Sequence, residues 1–241
     1  GDPVVGTLAF EDLWPSQGDY DMNDVVVGYS TTFTVDKDNR IVAIRDVVTP
    51  LHSGGKLRSA FGYQLDIPVT AVKGVKIENG SSTAGLEKNQ DKAVVILFDD
   101  IEQAVARGPV SVEIELDGSL SMDKVTRKSL YNPFICVSDK GCVPGAVRKE
   151  IHLTNYPPTS LADPYPFGRN DDKSSLDKAG NPIGPYYYAT SELYPFAIDL
   201  PVTDYRIPDE MVKIDVFYPD FAGWVKSRGE KHKEWYKNSV K

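Results

Sequence analysis

The sequence lacks the features that mark several large classes of protein. Its 241 residues contain no apolar run near the roughly 20 residues that cross a bilayer, and no signal peptide is present. Acidic residues outnumber basic ones, 35 to 27, and the net charge of −8 argues against a nucleic-acid-binding protein. No G-x-S-x-G or comparable nucleophile motif occurs, and neither cysteine has the neighbours of a catalytic thiol.

Metal-binding cysteine and histidine patterns are also missing. The chain has two cysteines, Cys136 and Cys142, and three histidines, and their spacing fits no zinc site. The short, turn-rich spacer between the cysteines favours a small disulfide loop, which suits an oxidising compartment, over two independent thiols. The chain begins at Gly1, which we interpret as a cleavage scar, so the missing signal peptide is compatible with a secreted protein.

Short strand patterns separated by turn residues dominate what is present. They predict an all-β fold, an antiparallel β-sandwich of the jelly-roll or immunoglobulin-like kind, with long loops and one or two short helices. Residues 130–147 are expected to form a loop, residues 99–108 a helix and residues 221–227 a helical turn. The predicted strands are residues 4–10, 25–35, 41–49, 59–67, 70–78, 92–98, 110–116, 148–153, 196–200 and 211–218. We expect one domain over residues 1–241, with a long irregular region at about 154–195.

The most informative stretch is residues 10–29, which reads FEDLWPSQGDYDMNDVVVGY. Asp19, Asp21 and Asn23 have the i, i+2, i+4 spacing that lets side chains in a loop turn toward one centre. Asp24 follows directly, before a valine-rich segment typical of a strand. Carboxylates packed this closely repel one another unless a cation neutralises them, and calcium accepts carboxylate, amide and carbonyl oxygens alike.

The stretch departs from an EF-hand after its first three ligand positions. Position six holds Asp24 where an EF-hand has glycine, and position twelve holds Ser30 where it has glutamate. Further ligands must come from elsewhere, and Glu11 and Asp12 are the nearest carboxylates. The alternative is a solvated turn. Magnesium keeps more water than such a ligand set leaves, and zinc prefers His or Cys, so the expected cofactor is calcium.

The same stretch resembles the opening motif of the LruC-domain family, bacterial proteins of unknown function named after a Leptospira lipoprotein. A related domain of unknown function also carries an Asp-x-Asp-x-Asn-Asp core. The resemblance implies a secreted or lipid-anchored envelope protein with an all-β domain, and it supplies no activity. Later segments support it: Phe61-Gly62-Tyr63, Tyr156-Pro157-Pro158-Thr159, Phe167-Gly168 with Asp171-Asp172-Lys173-Ser174, and Tyr218-Pro219-Asp220-Phe221 with Trp224, Ser227, Gly229 and Trp235-Tyr236.

Two further groups in the irregular region are candidate sites. Tyr186, Tyr187 and Tyr188 could contact a glycan or a protein, although aromatics in a Pro-rich loop more often pack against the sandwich and cover its open end. Asp171 and Asp172 could add ligands to a cation, either at a second acidic site or at the first by folding over, although a solvated acidic turn needs no such role.

Together these patterns predict a non-enzymatic, extracytoplasmic module at the bacterial cell surface, outer membrane or periplasm. It would carry a structural calcium ion and serve in adhesion or interaction with an unknown protein or glycan at the cell surface. A glycan-binding module using the Tyr-rich loop is the alternative, and a hydrolase is less favoured. We expect no nucleic-acid partner, no transmembrane segment in this chain, and a lipid anchor, if there is one, upstream of it.

Overall fold

Two antiparallel sheets make up the protein, as the strand patterns predict. The computed structural model describes residues 1–240. Every pair of neighbouring strands in the two sheets is antiparallel, which confirms the all-β sandwich. The strands are β1 (Val4–Phe10), β2 (Val25–Val35), β3 (Ile41–Ser53), β4 (Arg58–Pro68), β5 (Val72–Glu78), β6 (Gly85–Leu86), β7 (Lys92–Phe98), β8 (Val110–Leu116), β9 (Tyr131–Ser138), β10 (Glu150–His152) and β11 (Ala197–Leu200).

The first sheet has six strands in the order β11-β1-β2-β3-β8-β5, and the second has five in the order β10-β9-β4-β7-β6. Four short α-helices and three single-turn 3-10 helices lie outside the sheets in residues 1–240, where the sequence predicts one or two short helices. The α-helices are α1 (Ile101–Arg107), α2 (Arg127–Leu130), α3 (Ile214–Phe217) and α4 (Phe221–Lys226). None of the helices described is long and apolar enough to cross a bilayer.

The main hydrophobic core lies between the two sheets, because alternate side chains of each strand point inward. On β2, Val25 and Val27 are buried in this core, whereas Val26 points to the opposite face. That opposite face is also covered by the C-terminal segment, which is residues 201–240. Val26 packs there into a second hydrophobic cluster with Phe221, Trp235 and other residues of this segment. The side of the first sheet formed by β11, β1 and the start of β2 is therefore buried on both faces.

One buried carboxylate links the two sheets. Asp46 on β3 accepts hydrogen bonds from the hydroxyls of Thr31 at 2.5 Å, Tyr63 at 2.5 Å and Tyr131 at 2.7 Å. Tyr63 and Tyr131 belong to the second sheet, so the acceptor in one sheet binds donors from the other. Arg127 lies 4.3 Å from the centre of the Tyr131 ring and donates a hydrogen bond to Thr31. A fully hydrogen-bonded polar group of this kind favours one relative position of the sheets.

Two sequence-based assignments are wrong. Residues 131–138, expected to lie in a loop, form strand β9 in the interior of the second sheet. Residues 211–218, expected to be a strand, contain α3. The burial pattern explains the second error: Ile214, Phe217 and Tyr218 are buried while Val216 is exposed, which is the i, i+3, i+4 pattern of a helix.

Candidate cation site

The acidic loop, residues 11–24, connects two neighbouring strands. β1 ends at Phe10 and β2 begins at Val25, and these two residues are register partners. Glu11 and Asp24, the first and last residues of the loop, therefore lie next to each other at its base. This pairing explains how carboxylates at the two ends of a fourteen-residue connection come close together.

Alternating backbone conformations fix the centre of the loop. Gly18, Tyr20 and Met22 have φ values of 61°, 54° and 55°. Positive φ is uncommon for side chains as large as tyrosine and methionine, and such residues collect at functional sites. Tyr20 and Met22 are buried in the second cluster, and the Tyr20 hydroxyl donates to the Pro195 carbonyl at 2.6 Å. Asp19 and Asp21 alternate in sequence with Gly18, Tyr20 and Met22 and carry the acidic groups.

Glu11, Asp19 and Asp21 form one group of carboxylates. Each offers an oxygen that lies within 4.8 Å of the other two. Glu11 and Asp21 are fully buried, and Asp19 is half-buried, so solvent reaches the group through Asp19. Three negative side chains in so small a volume are the arrangement that a hard cation stabilises.

Three buried side chains in the loop each have one atom in a hydrogen bond and one oxygen without a hydrogen-bond partner within residues 1–240. Glu11 accepts from the Met22 amide through Oε1 at 2.5 Å, and Asp21 accepts from the Met211 amide through Oδ2 at 3.0 Å. Asn23 donates through Nδ2 to a backbone carbonyl, that of Pro208, at 3.0 Å. Glu11 Oε2, Asp21 Oδ1 and Asn23 Oδ1 have no hydrogen-bond partner within residues 1–240. Buried polar atoms are normally paired, so these three oxygens are exceptions whose acceptor capacity is unused within the described residues.

Asp12 and Asp24 form a separate pair beside this group. Asp24 accepts the Asp12 amide through Oδ2 at 2.8 Å. Gly54 and Gly55, at the end of β3, pack directly on the acidic oxygens. A Cβ atom at Gly55 would overlap Asp12 Oδ2, and one at Gly54 would overlap the unpaired oxygen of Asn23. The structure therefore gathers the six sequence-predicted ligands into one loop but divides their carboxylates into a group of three and a pair.

Burial and mutual repulsion raise the pKa values of the loop carboxylates. Burial raises the pKa of Asp21 to about 6, and the charge of Asp19 adds to the shift while the Met211 amide opposes it. Burial also raises the pKa of Glu11 and of Asp24, with a further contribution from neighbouring carboxylates. Burial is the largest cause of these shifts and the proximity of like charges adds to it, and a bound cation would oppose both.

One lysine partly offsets the charge of the loop. Burial raises the pKa of Asp12, while a hydrogen bond with Asp24 and the Lys149 ammonium lower it. Glu210 acts in the opposite direction and raises the pKa of both Asp12 and Asp21. One amine facing this many carboxylates leaves the loop with excess negative charge.

Several residues that build the site were not predicted. Pro208 and Met211 contact the loop through their backbones from about 190 positions away in sequence, and no local pattern marks them. The Gly54-Gly55 pair carried a usable signal, because glycine at a strand end indicates close approach of another group.

Asp171 and Asp172 lie outside the acidic loop and accept hydrogen bonds from it. Asp172 is fully buried and accepts from Trp14 Nε1 at 3.0 Å, from the Ser174 amide and hydroxyl, and from one further backbone amide. Asp171 accepts the Gln17 amide at 2.8 Å. Protein donors use both oxygens of Asp172, which favours an anchoring role for this pair over a second cation site.

The three consecutive tyrosines divide between core and surface. Tyr188 is fully buried against Trp14 and Phe167, so its assignment as a ligand-contacting aromatic is wrong. Tyr186 is 55% exposed and Tyr187 is half-buried, and both line a groove described below. The backbone of Tyr188 is left-handed, with φ of 53°, at the point where the tyrosine side chains change from the surface to the core.

Cys136 and Cys142 form a disulfide, with Cα atoms 6.2 Å apart. Cys136 is the β9 partner of Glu150 on β10, and Cys142 lies in the turn that follows β9. The bond therefore closes the connection between these two strands.

The fold and the acidic loop define an all-β sandwich protein with a candidate cation site. The chain belongs to the family described as "Domain of unknown function (DUF4842)", whose sequence model matches residues 39–236. The expectation of a domain of unknown function is thus confirmed, while the family that matches is not named LruC. The acidic loop lies before the matched residues.

A solved structure shares the fold. It is described as a "Putative lipoprotein" from Bacteroides ovatus, and it is 20% identical to this chain with a TM-score of 0.66. The alignment covers 98% of this chain and 74% of the other. No curated protein matches the sequence.

Proposed function

We propose that this protein is a non-enzymatic module of the bacterial cell envelope whose acidic loop binds a structural calcium ion. The observation that carries the proposal is the set of three unpartnered oxygens, on Glu11, Asp21 and Asn23, each belonging to a side chain that is almost completely buried. Leaving a buried acceptor unsatisfied costs about 1–3 kcal/mol, and more if it is charged. A cation coordinated by these oxygens would remove that cost.

The chemistry of the donors favours calcium. The group of three consists of carboxylates alone, and Asn23, two residues after Asp21, offers an unpaired amide oxygen within residues 1–240. Calcium takes six to eight oxygens at about 2.3–2.6 Å in flexible geometry, with water completing the set. The half-buried position of Asp19 leaves room for such waters. Magnesium needs a stricter octahedron and usually keeps most of its water, so it fits a protein-rich cradle less well.

The position of the loop supports a structural role for the ion. The loop joins the adjacent strands β1 and β2. It also contacts the C-terminal segment through Pro208, Met211 and Ile214. A cation bound here would stabilise both junctions. It would also favour the ionised carboxylates at neutral pH.

An extracytoplasmic location fits several independent features. The disulfide between Cys136 and Cys142 suits an oxidising compartment. The resemblance to LruC domains and the fold shared with a "Putative lipoprotein" both point to the envelope. An adhesion or interaction role follows from this location and from the exposed Tyr186. The acidic residues are better suited to holding a metal than to acid–base catalysis, because they lie in one crowded, mutually repelling group.

Thermal unfolding tests the calcium site. We expect EDTA to lower the Tm, calcium to restore it, and magnesium to restore less. The matched variants are Asp21→Asn in the loop and Asp38→Asn in the exposed Asp-x-Asp turn between β2 and β3. Calcium should no longer stabilise the first variant and should stabilise the second as it does the wild type. An unchanged Tm after EDTA, on protein shown by elemental analysis to have carried calcium, would contradict the structural role.

A further inference from the structure

A groove of about 580 Å³ lies between the long irregular region and helix α4. Tyr156, Tyr186 and Tyr187 line it on the side of the irregular region, and Trp224 and Arg228 line it on the side of α4. Small-molecule sites have volumes of about 300–1,000 Å³, so the size suits a ligand of a few sugar rings or similar. The groove involves none of the six candidate cation ligands.

The aromatic rings of the groove are held in place by the protein. The Tyr156 hydroxyl donates to the Lys128 carbonyl at 2.8 Å, which fixes that ring. The backbone amide of Tyr187 donates to Asn155 Oδ1 at 3.2 Å, which fixes the backbone that carries the second ring. Trp224 packs against Trp235 with ring centres 5.6 Å apart. Rings fixed in this way lose little entropy when a ligand stacks on them.

Positive charge is concentrated along the same groove. Lys128, Lys173 and Arg228 line it, all three are exposed, and none makes a salt bridge within residues 1–240. The one acidic residue in the lining, Asp199, accepts the Tyr29 hydroxyl at 2.7 Å. Three cations against one carboxylate give the lining a net positive charge on a chain whose net charge is −8, and this charge is complementary to an anionic ligand.

We infer that this groove binds an acidic saccharide, with a pyranose face stacked on the aromatic rings and a carboxylate or sulfate near Arg228. Tyrosine and tryptophan rings present an apolar face with a polar edge, which suits the CH face and hydroxyls of a sugar. Guanidinium groups bind carboxylate and sulfate oxygens in a bidentate manner. Asn155 and Ser191 in the lining supply groups for sugar hydroxyls.

The groove is less suited to a lipid chain, because charged and amide side chains such as Lys128, Lys173 and Asn155 are part of its lining. The inference deepens the interaction role proposed above by naming a ligand class. It does not depend on the calcium site, because the groove and the acidic loop share no side chain.

A panel of uronate, sialylated and sulfated oligosaccharides tests the inference, using the full chain in saturating calcium. Saturable binding of at least one acidic member is expected, with quenching of tryptophan fluorescence. For a uronate ligand, the fully methyl-esterified oligomer is the matched neutral control. Its affinity should be at least about tenfold lower, since a hydrogen bond to a charged group contributes about 1.5–3 kcal/mol.

Two pairs of variants locate the site. Arg228→Gln should weaken binding about tenfold or more, whereas Lys226→Gln, at an exposed position of α4 outside the groove, should not. Tyr187→Ala should weaken it, and Tyr165→Ala, at a 66% exposed ring elsewhere, should not. Failure of every acidic member to bind, equal binding of acid and ester, or equal effects within a pair would overturn the inference. Calcium affinity measured on the same sample separates this failure from failure of the cation site.

Discussion

Calcium removal should loosen the C-terminal segment as well as the acidic loop. Three hydrogen bonds join the two: Asn23 Nδ2 to the Pro208 carbonyl at 3.0 Å, the Met211 amide to Asp21 Oδ2 at 3.0 Å, and the Ile214 amide to the Tyr20 carbonyl at 2.8 Å. Each depends on the conformation of the loop. Without the cation, repulsion among the loop carboxylates opposes that conformation, and residues 205–218 should open more often.

The size of the effect follows from binding linkage. A ligand present at a hundred times its dissociation constant stabilises the state that binds it by about 2.7 kcal/mol, which corresponds to a change of about 100-fold in the opening equilibrium. For a chain of this size, the same energy corresponds to a Tm shift of about 5–11 °C. If opening requires ion release, amides in residues 205–218 should exchange up to about 100-fold faster in EDTA than in calcium.

Hydrogen exchange with peptide-level mass spectrometry measures this directly. Peptides covering residues 205–218 are compared with β5, which lies at the opposite edge of the first sheet from β11. We expect the largest acceleration in residues 205–218 and a smaller one in β5. Asp21→Asn keeps an acceptor for the Met211 amide while removing a charge, so it should show fast exchange even in calcium. Identical exchange of residues 205–218 with and without calcium, on protein that binds the ion, would refute the coupling.

The remaining predictions concern pH, the disulfide and one core tyrosine. Without metal, the raised pKa of Asp21, about 6 against about 4 when unfolded, means that the folded state binds more protons. The Tm of the metal-free protein should therefore fall as pH rises from 4 to 6. The fall should continue above pH 6, because the pKa of Glu11 is raised as well. Calcium should flatten this pH profile, and a metal-free Tm that rises between pH 4 and 6 would contradict the raised pKa. Replacing Cys136 and Cys142 by alanine should lower the free energy of unfolding by about 2 kcal/mol in urea titrations, because the closed loop is short; a loss above about 5 kcal/mol would show another role. Tyr188→Phe should leave stability unchanged or slightly raised, since the buried hydroxyl has no partner within residues 1–240, and a clear loss would reveal a missed hydrogen bond.

Much of the fold was predictable because its strands keep a regular alternation of side chains. β2 runs over Val25–Val35 and β8 over Val110–Leu116, as the sequence predicts. β-branched residues at alternate positions fit a pleated, half-buried surface and few other structures. Where the pattern was weaker, tertiary contacts decided the conformation.

Strand β9 shows one such case. Pro133 and a cysteine made residues 130–147 resemble a loop, since proline cannot donate a hydrogen bond to a neighbouring strand. The structure accommodates Pro133 because β10 pairs only with Phe134, Ile135 and Cys136. Pro133 therefore lies beyond the end of β10, although its other side pairs with Tyr63 of β4.

The candidate site was predictable only in part. Its carboxylates lie within one short loop, so their spacing is visible in the sequence. The division into a group of three and a pair depends on the Phe10–Val25 register and on the positive φ values at Tyr20 and Met22, which no local pattern specifies. The contact with Met211 depends on how the C-terminal segment folds back over the first sheet.

Calorimetric titration of calcium into EDTA-stripped protein tests the central claim most directly. The wild type is compared with Asp19→Asn/Asp21→Asn in the acidic loop and with Asp36→Asn/Asp38→Asn in the exposed turn after β2. We predict saturable binding to the wild type and to the turn variant, and none to the loop variant. Absence of binding to the wild type, or equal binding to all three proteins, would contradict a calcium site in the acidic loop.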